Sequence, residues 1–266
     1  MKKNLLIGIA LLAPLLALGL FAFSRRWFYP DPFPVEWTTQ AFSRLLSDSR
    51  TLKAILDSLL LALIVSLLSL IIGYPAARVI GTRDFPGKKW VWLAIFIPTV
   101  VPPLAIGMGL SILALQTGLA GTRFGIILAH IVPTLPYTVF TLAGVFERYD
   151  ENFEYQALAL GASSTRIFFT VTLRLLTPGL AVAGLFAFLI SWSQYLLTLL
   201  VGGGRVLTLP VLLFSAVSGG NPTTISALSL LFLAPPVLII AATARFLGAH
   251  RVLRKSKKCF SLCALW

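Results

Sequence analysis

Six uncharged, mostly apolar runs divide this chain: residues 4–23, 58–77, 90–115, 124–146, 179–202 and 223–244. Each reaches the roughly 20 residues that a helix needs to cross about 30 Å of hydrocarbon. A chain in a bilayer must satisfy its own backbone groups, so such runs fold as helices. Composition points the same way. The apolar set makes up 58% of the 266 residues and charged residues only 12%, about half the usual charged share. Disorder is excluded, and a soluble globular domain is not a tenable reading. The expected fold class is an all-α membrane protein with six transmembrane helices.

The first run is bracketed by Lys2 and Lys3 before it and Arg25 and Arg26 after it. Ala17-Leu18-Gly19 resembles a signal-peptidase site, but the run is long for a signal peptide and more spans follow, so it is read as retained. A further apolar segment, 206–218, has 13 residues. That is too short to span and suits a re-entrant or interfacial segment, with seven spans as the alternative count.

Basic residues orient the bundle. With the N-terminus inside, 15 of the 22 Lys and Arg fall on inner segments and 7 on outer ones. Both termini are therefore expected in the cytoplasm. The net charge of +13 is spread between apolar runs, which fits anionic lipid headgroups and no nucleic acid. Residues 24–57 are expected outside, with Trp27 and Trp37 as interfacial anchors and a helix-like stretch from Trp37 to Leu46. Residues 147–178 are expected inside. Prolines fall within several spans, including Pro98, Pro102, Pro103, Pro133 and Pro136. They mark either simple kinks or bends in helices three and four that gate a path.

The inner segment carries the most local information. A short helix is expected over Phe153 to Leu160. Gly161 ends it, at the place where a left-handed residue is often needed. Ser163 is suited to cap a second helix, Ser164 to Leu173, by accepting a backbone N–H. Alanines at 157, 159 and 162 keep the unit slim. Such a unit suits insertion into a partner's groove, or else lies as an amphipathic loop on the membrane.

This loop resembles the signature loop of ABC importer permeases, the membrane subunits of binding-protein-dependent uptake systems. The family pattern is Glu-Ala-Ala, three residues, Gly, nine residues, an aliphatic residue, one more, and Leu-Pro. Ala157, Gly161, Val171 and Leu173 match it. Tyr155 stands at the glutamate, with Glu154 beside it; Gln156 stands at the first alanine and Arg174 at the proline. Asp57-Ser58-Leu59, Tyr74-Pro75-Ala76-Ala77, the Pro98 to Pro103 stretch, Ser191 to Tyr195 and Thr208-Leu209-Pro210 also resemble family segments, in order. The likeness is to the polyamine, ferric-ion, thiamine and sugar branches. It implies one permease domain over 1–266, the type I importer fold and the bacterial cytoplasmic (inner) membrane. It implies an ATPase-docking loop of Glu154, Tyr155, Gln156, Ala157, Gly161, Ala162 and Ser163. Its implied partners are two ABC ATPases, a second permease, homologous or identical, and an extracytoplasmic substrate-binding protein. No cofactor is expected in this chain; ATP and Mg belong to the ATPase.

Other chemistry is less well supported. Gly81 to Lys88 has five residues between its glycines and no Ser or Thr after the lysine, so it is not a P-loop. His130 lies within the fourth run without an acidic neighbour there, and is read as neutral and hydrogen-bonded. Cys259 and Cys263 lack metal partners beyond the distant His250, so no metal site is expected. No nucleophile and base pair up, and the chain is read as non-enzymatic. Trp192, Gln194 and Tyr195 are polar tips in an apolar run, and are candidates for either helix packing or the substrate pathway. An ion-gradient-driven transporter and a non-transporting scaffold remain as alternatives.

Overall fold

The computed structural model describes residues 13–27, 31 and 33–263, with side chains up to residue 248 apart from Arg26. Most of the expected first span, 4–12, lies outside the described residues. Its remainder is helix α1, Ala13–Ala22. The next segment departs from an all-α fold. Strands β1, Ser24–Arg26, and β2, Glu36–Trp37, pair antiparallel. Helix α2, Gln40–Ser47, then leads into α3, Ser49–Thr82. Asp48 separates them and caps α3 by accepting the N–H groups of Arg50 and Thr51. At 34 residues, α3 is about 50 Å long and outreaches a bilayer core.

The third expected span is broken. Helices α4, Lys88–Val100, and α5, Pro103–Gln116, meet at 95°. The cause is the pair Pro102-Pro103. Proline disfavours a helical conformation at the residue before it, and Val101 is extended, with φ −71° and ψ 135°. By contrast α6, Arg123–Phe146, runs through Pro133 and Pro136 without a break.

The fifth expected span is also corrected, at both ends. It does not begin after Pro178. Helix α7, Asn152–Ala159, is followed by α8, Ser164–Ile167, a π-helical turn over Phe168–Thr172, and α9, Leu173–Trp192. The last three form one uninterrupted rod. Pro178 lies inside it, and the Thr177 hydroxyl donates to the Leu173 carbonyl one turn before. The rod ends at Trp192, and a separate helix α10 covers Leu196–Gly202. Helix α11, Leu209–Ser218, is short and apolar as expected, and α12 spans Pro222–Cys263. Among the described residues four helices are long and apolar enough to cross a membrane, or five with the α4–α5 pair.

The core is built on α3, α6 and α9. Lipid is as apolar as a leucine, so burial of apolar surface does little to join helices there; close contact and hydrogen bonds do. Gly81 of α3 meets α6 so closely that a β-carbon would lie 2.7 Å from the Ala143 carbonyl. Ser69 and Thr134 hydrogen-bond between α3 and α6 at 2.7 Å, and Ser66 donates to Gly184 of α9. The α3 residues Leu60, Leu63, Leu67 and Ile71 remain exposed, an apolar stripe that fits lipid or a partner helix.

Candidate functional site

Helix α7 ends in a Schellman motif. The Ala162 N–H reaches the Ala157 carbonyl and the Gly161 N–H reaches that of Leu158. Gly161 sits at φ +83°, the left-handed region that costs a β-carbon residue about 1 kcal/mol or more. A β-carbon there would meet nothing within 4 Å, so backbone conformation alone selects glycine within this chain. Ser163 caps α8 by accepting from the Arg166 N–H at 3.4 Å. The loop from Gly161 to Ser163 therefore ends one helix and starts the next, as its residue types imply.

The outer face of this unit is apolar. Phe153, Tyr155, Leu158 and Leu160 are exposed, Leu160 by 88%. Gln156 is exposed, and Ala157 and Ala162 are half-buried. Glu154 faces the other way. Its carboxylate accepts from Tyr149 Oη, Thr172 Oγ1 and Arg78 Nη2, each at 2.7 Å. Arg78 also lies 3.8 Å from Glu151. Both Glu154 carboxylate oxygens are thus engaged within the chain. Burial pushes the Glu154 carboxyl up, but the donors Thr172, Tyr149 and Arg78 outweigh burial and hold it below its ordinary value. Burial, together with the bond to Glu154, pushes the Tyr149 hydroxyl up to about 12.

Three elements are thus tied by one side chain: α7, the α3 helix through Arg78, and the π turn through Thr172. Arg78, Tyr149 and Thr172 had no signal in the sequence, because two of them lie 76 and 18 residues from Glu154. The π turn itself marks the site. Such turns insert a residue into the helical register and are frequent at functional positions.

The pathway candidates separate. Trp192 is 2% exposed, stacks between Phe188 and Phe232, and donates its indole N–H to the Phe232 carbonyl. Within this chain it packs between helices and opens to no cavity surface. Gln194 and Tyr195 occupy the break between α9 and α10, half-buried, with the Tyr195 ring stacked on Phe214 at 4.0 Å. His130 bridges that break. Its Nδ1 lies 3.0 Å from Ser191 Oγ on α9 and its Nε2 lies 3.0 Å from Thr198 Oγ1 on α10. The Thr198 hydroxyl donates to the Gln194 carbonyl, so it accepts from Nε2–H. The ring is then the Nε2–H tautomer, with Ser191 donating to Nδ1.

Residues 69–256 match the family of binding-protein-dependent transport system inner membrane components. The chain belongs to this family. As such an inner membrane component it is a transport subunit and not an enzyme, and the matched range holds Glu154, Gly161, the π turn and the α9–α10 break. The chain is 29% identical over 242 residues to the putrescine transport system permease protein PotI of Escherichia coli, covering 86% of this chain and 84% of that one. It is 29% identical over 168 residues to the diacetylchitobiose uptake system permease protein NgcG of Streptomyces coelicolor, covering 63% of this chain and 56% of the relative. It is 30% identical over 161 residues to the molybdate/tungstate transport system permease protein WtpB of Pyrococcus abyssi, covering 59% and 64%. The fold resembles a chain in the crystal structure of a bacterial ABC transporter involved in the import of the acidic polysaccharide alginate. The TM-score is 0.69 at 18% identity, covering 92% of this chain and 95% of that one.

Proposed function

We propose that this chain is a permease subunit of an ATP-driven importer in a bacterial inner membrane, with six spans and both termini in the cytoplasm. It pairs with a second permease, two ATPase subunits dock on the inner loops of the pair, in this chain through α7 and α8, and substrate arrives from an extracytoplasmic binding protein. ATP and Mg act in the ATPase partners. The observation that carries this reading is the Glu154 junction, which ties an exposed apolar helix to two spanning elements. A surface helix that only rested on lipid would not need three donors on one partly buried carboxylate.

The cycle follows from that wiring. ATP-driven closure of the ATPases displaces α7, with Tyr155, Leu158 and Leu160 seated in the partner's groove. Glu154 passes the displacement to α3 through Arg78 and to the long rod through Thr172. Packed helices respond by switching between discrete arrangements, here outward- and inward-facing. Gln194 is placed to contact cargo at the α9–α10 break. The test is a pull-down of the ATPase with the Leu158→Asp and Leu160→Asp variants, with the parent chain as control. Loss of ATPase with intact membrane insertion supports docking through α7. Full retention in both variants sinks it.

A further inference from the structure

The end of the bundle opposite α7 holds a cavity of about 550 Å³. Its lining includes Arg50, Lys53, Arg123 and Arg205, with Asp57 as its one acid. Arg50, Lys53 and Asp57 are three and four residues apart along α3, and so share a face. Arg123 opens α6. Arg205 lies in the loop after α10, and its side chain crosses Gly121, where a β-carbon would meet Arg205 Cδ at 2.7 Å. That glycine, at φ +74°, is anchored by its N–H to the Val201 carbonyl.

The charges in this cavity do not balance. Asp57 holds Arg123, with Oδ1 to Nη2 at 2.7 Å, and its own side chain is 7% exposed. Asp48, the acid next to Arg50, is turned to cap α3 and accepts from the Thr51 hydroxyl as well. All nine acids of the chain are among the described residues, and none forms an ion pair with Arg50, Lys53 or Arg205. Arg50 and Arg123 also stand in the first turns of their helices, where the dipole favours anions and disfavours cations. Three cations outside any ion pair therefore face one concave space beside two positive helix ends. Asp48 and Asp57 offset only part of this charge, so the space carries a positive field that an anion would neutralise.

We propose that this cavity binds a small solute carrying an oxyanion group: a carboxylate, sulfate or phosphate. Its role as the outer mouth for an anionic cargo rests on the permease reading; binding itself does not. Arginine forks match the planar geometry of carboxylates and the faces of tetrahedral oxyanions. Fields focused in a concave site raise the local concentration of the opposite charge. A polycation would be repelled here.

The experiment uses the full chain in phosphatidylcholine nanodiscs, with citrate as the anionic probe and putrescine and trehalose as cationic and neutral controls. Calorimetry should show saturable citrate binding and none of either control. In the Arg50→Gln/Arg205→Gln double variant citrate should bind about tenfold or more weakly, the size of losing a charge-assisted contact. Both side chains are exposed, and far-UV dichroism with size-exclusion chromatography checks that the variant folds. Lys53→Gln gives a second, single-site reading. Three results would overturn the proposal: no saturable citrate binding, equal affinity in the variants, or loss of citrate binding when phosphatidylglycerol is added to the disc. The last would assign the cations to lipid headgroups. Normal citrate binding with no ATPase association would leave the anion site standing and remove the importer reading.

Discussion

Each end of this bundle is built around one carboxylate and one arginine 2.7 Å apart, yet the two ends are wired differently. At Glu154 three donors converge and every oxygen is used. At Asp57 a single pair is made and three further cations are left over. A satisfied polar cluster fixes geometry, because each partner holds the others in place. An unsatisfied one is receptive, because a ligand can supply what the chain does not. On the two proposals above, the difference separates a mechanical end from a binding end.

The largest test of this contrast is a pair of isosteric variants. Glu154→Gln takes the charge from Arg78 and disturbs two hydroxyl bonds in a partly buried site. It should cost about 2–3 kcal/mol in unfolding free energy and uncouple ATP hydrolysis from uptake. Asp57→Asn leaves the half-exposed Arg123 in water and should cost about 1 kcal/mol or less. Denaturant titration in detergent measures both. Equal costs would erase the distinction between the ends.

Gly161→Val comes next. Its φ of +83° makes any β-carbon costly by about 1–2 kcal/mol, and the loss should fall on α7 rather than on the spans. Weakened ATPase association with an unchanged melting profile of the spanning core is expected. Normal coupling with normal assembly would remove α7 as the docking element.

The pH response sharpens the same comparison. Glu154 has a folded value below its ordinary 4.5, so its contribution is present at neutral pH and fades as pH falls through the folded value. Tyr149 is raised from 10.0 to about 12. Its contribution is present below pH 10 and is lost as pH rises toward 12. Tyr149→Phe should flatten the alkaline limb of a stability–pH curve. An unchanged limb would show that the hydroxyl contributes nothing there.

The smallest effect concerns salt. Tyr155 carries no charge, so Tyr155→Ala should weaken ATPase binding by a factor that changes less than about twofold between low and physiological salt. Citrate binding at the opposite end should fall steeply over the same range. A steep salt slope at Tyr155 would show that charge, not packing, seats α7.

How much of this was legible depended on range. The α7 cap at Gly161 and the α8 cap at Ser163 were readable, because capping is decided within a few residues. The Glu154 junction was not, because Arg78 reaches it from a different helix and no periodicity records that. Apolar run lengths located α3, α6 and α12, but not what happens at prolines. Pro102-Pro103 breaks a span into two helices, whereas Pro178, beside the Thr177 hydroxyl, stays inside one. Trp192 and Gln194 looked alike in an apolar run. Only packing shows that the first is stacked between two phenylalanines, while the second sits at a helix break bridged by His130.

The unbroken rod from Ser164 to Trp192 has a geometric consequence. Its 29 residues span roughly 43 Å at a helical rise of about 1.5 Å per residue. Thr172, where Glu154 takes hold, lies near one end, and the helix break with Gln194 begins at the other. If the rod swings about its α8 end, a tilt of only about 7° sweeps its far tip through roughly 5 Å, close to the pitch of one helical turn. A modest rotation at the membrane surface is thus magnified by length alone into a displacement large enough to carry a side chain past its neighbour.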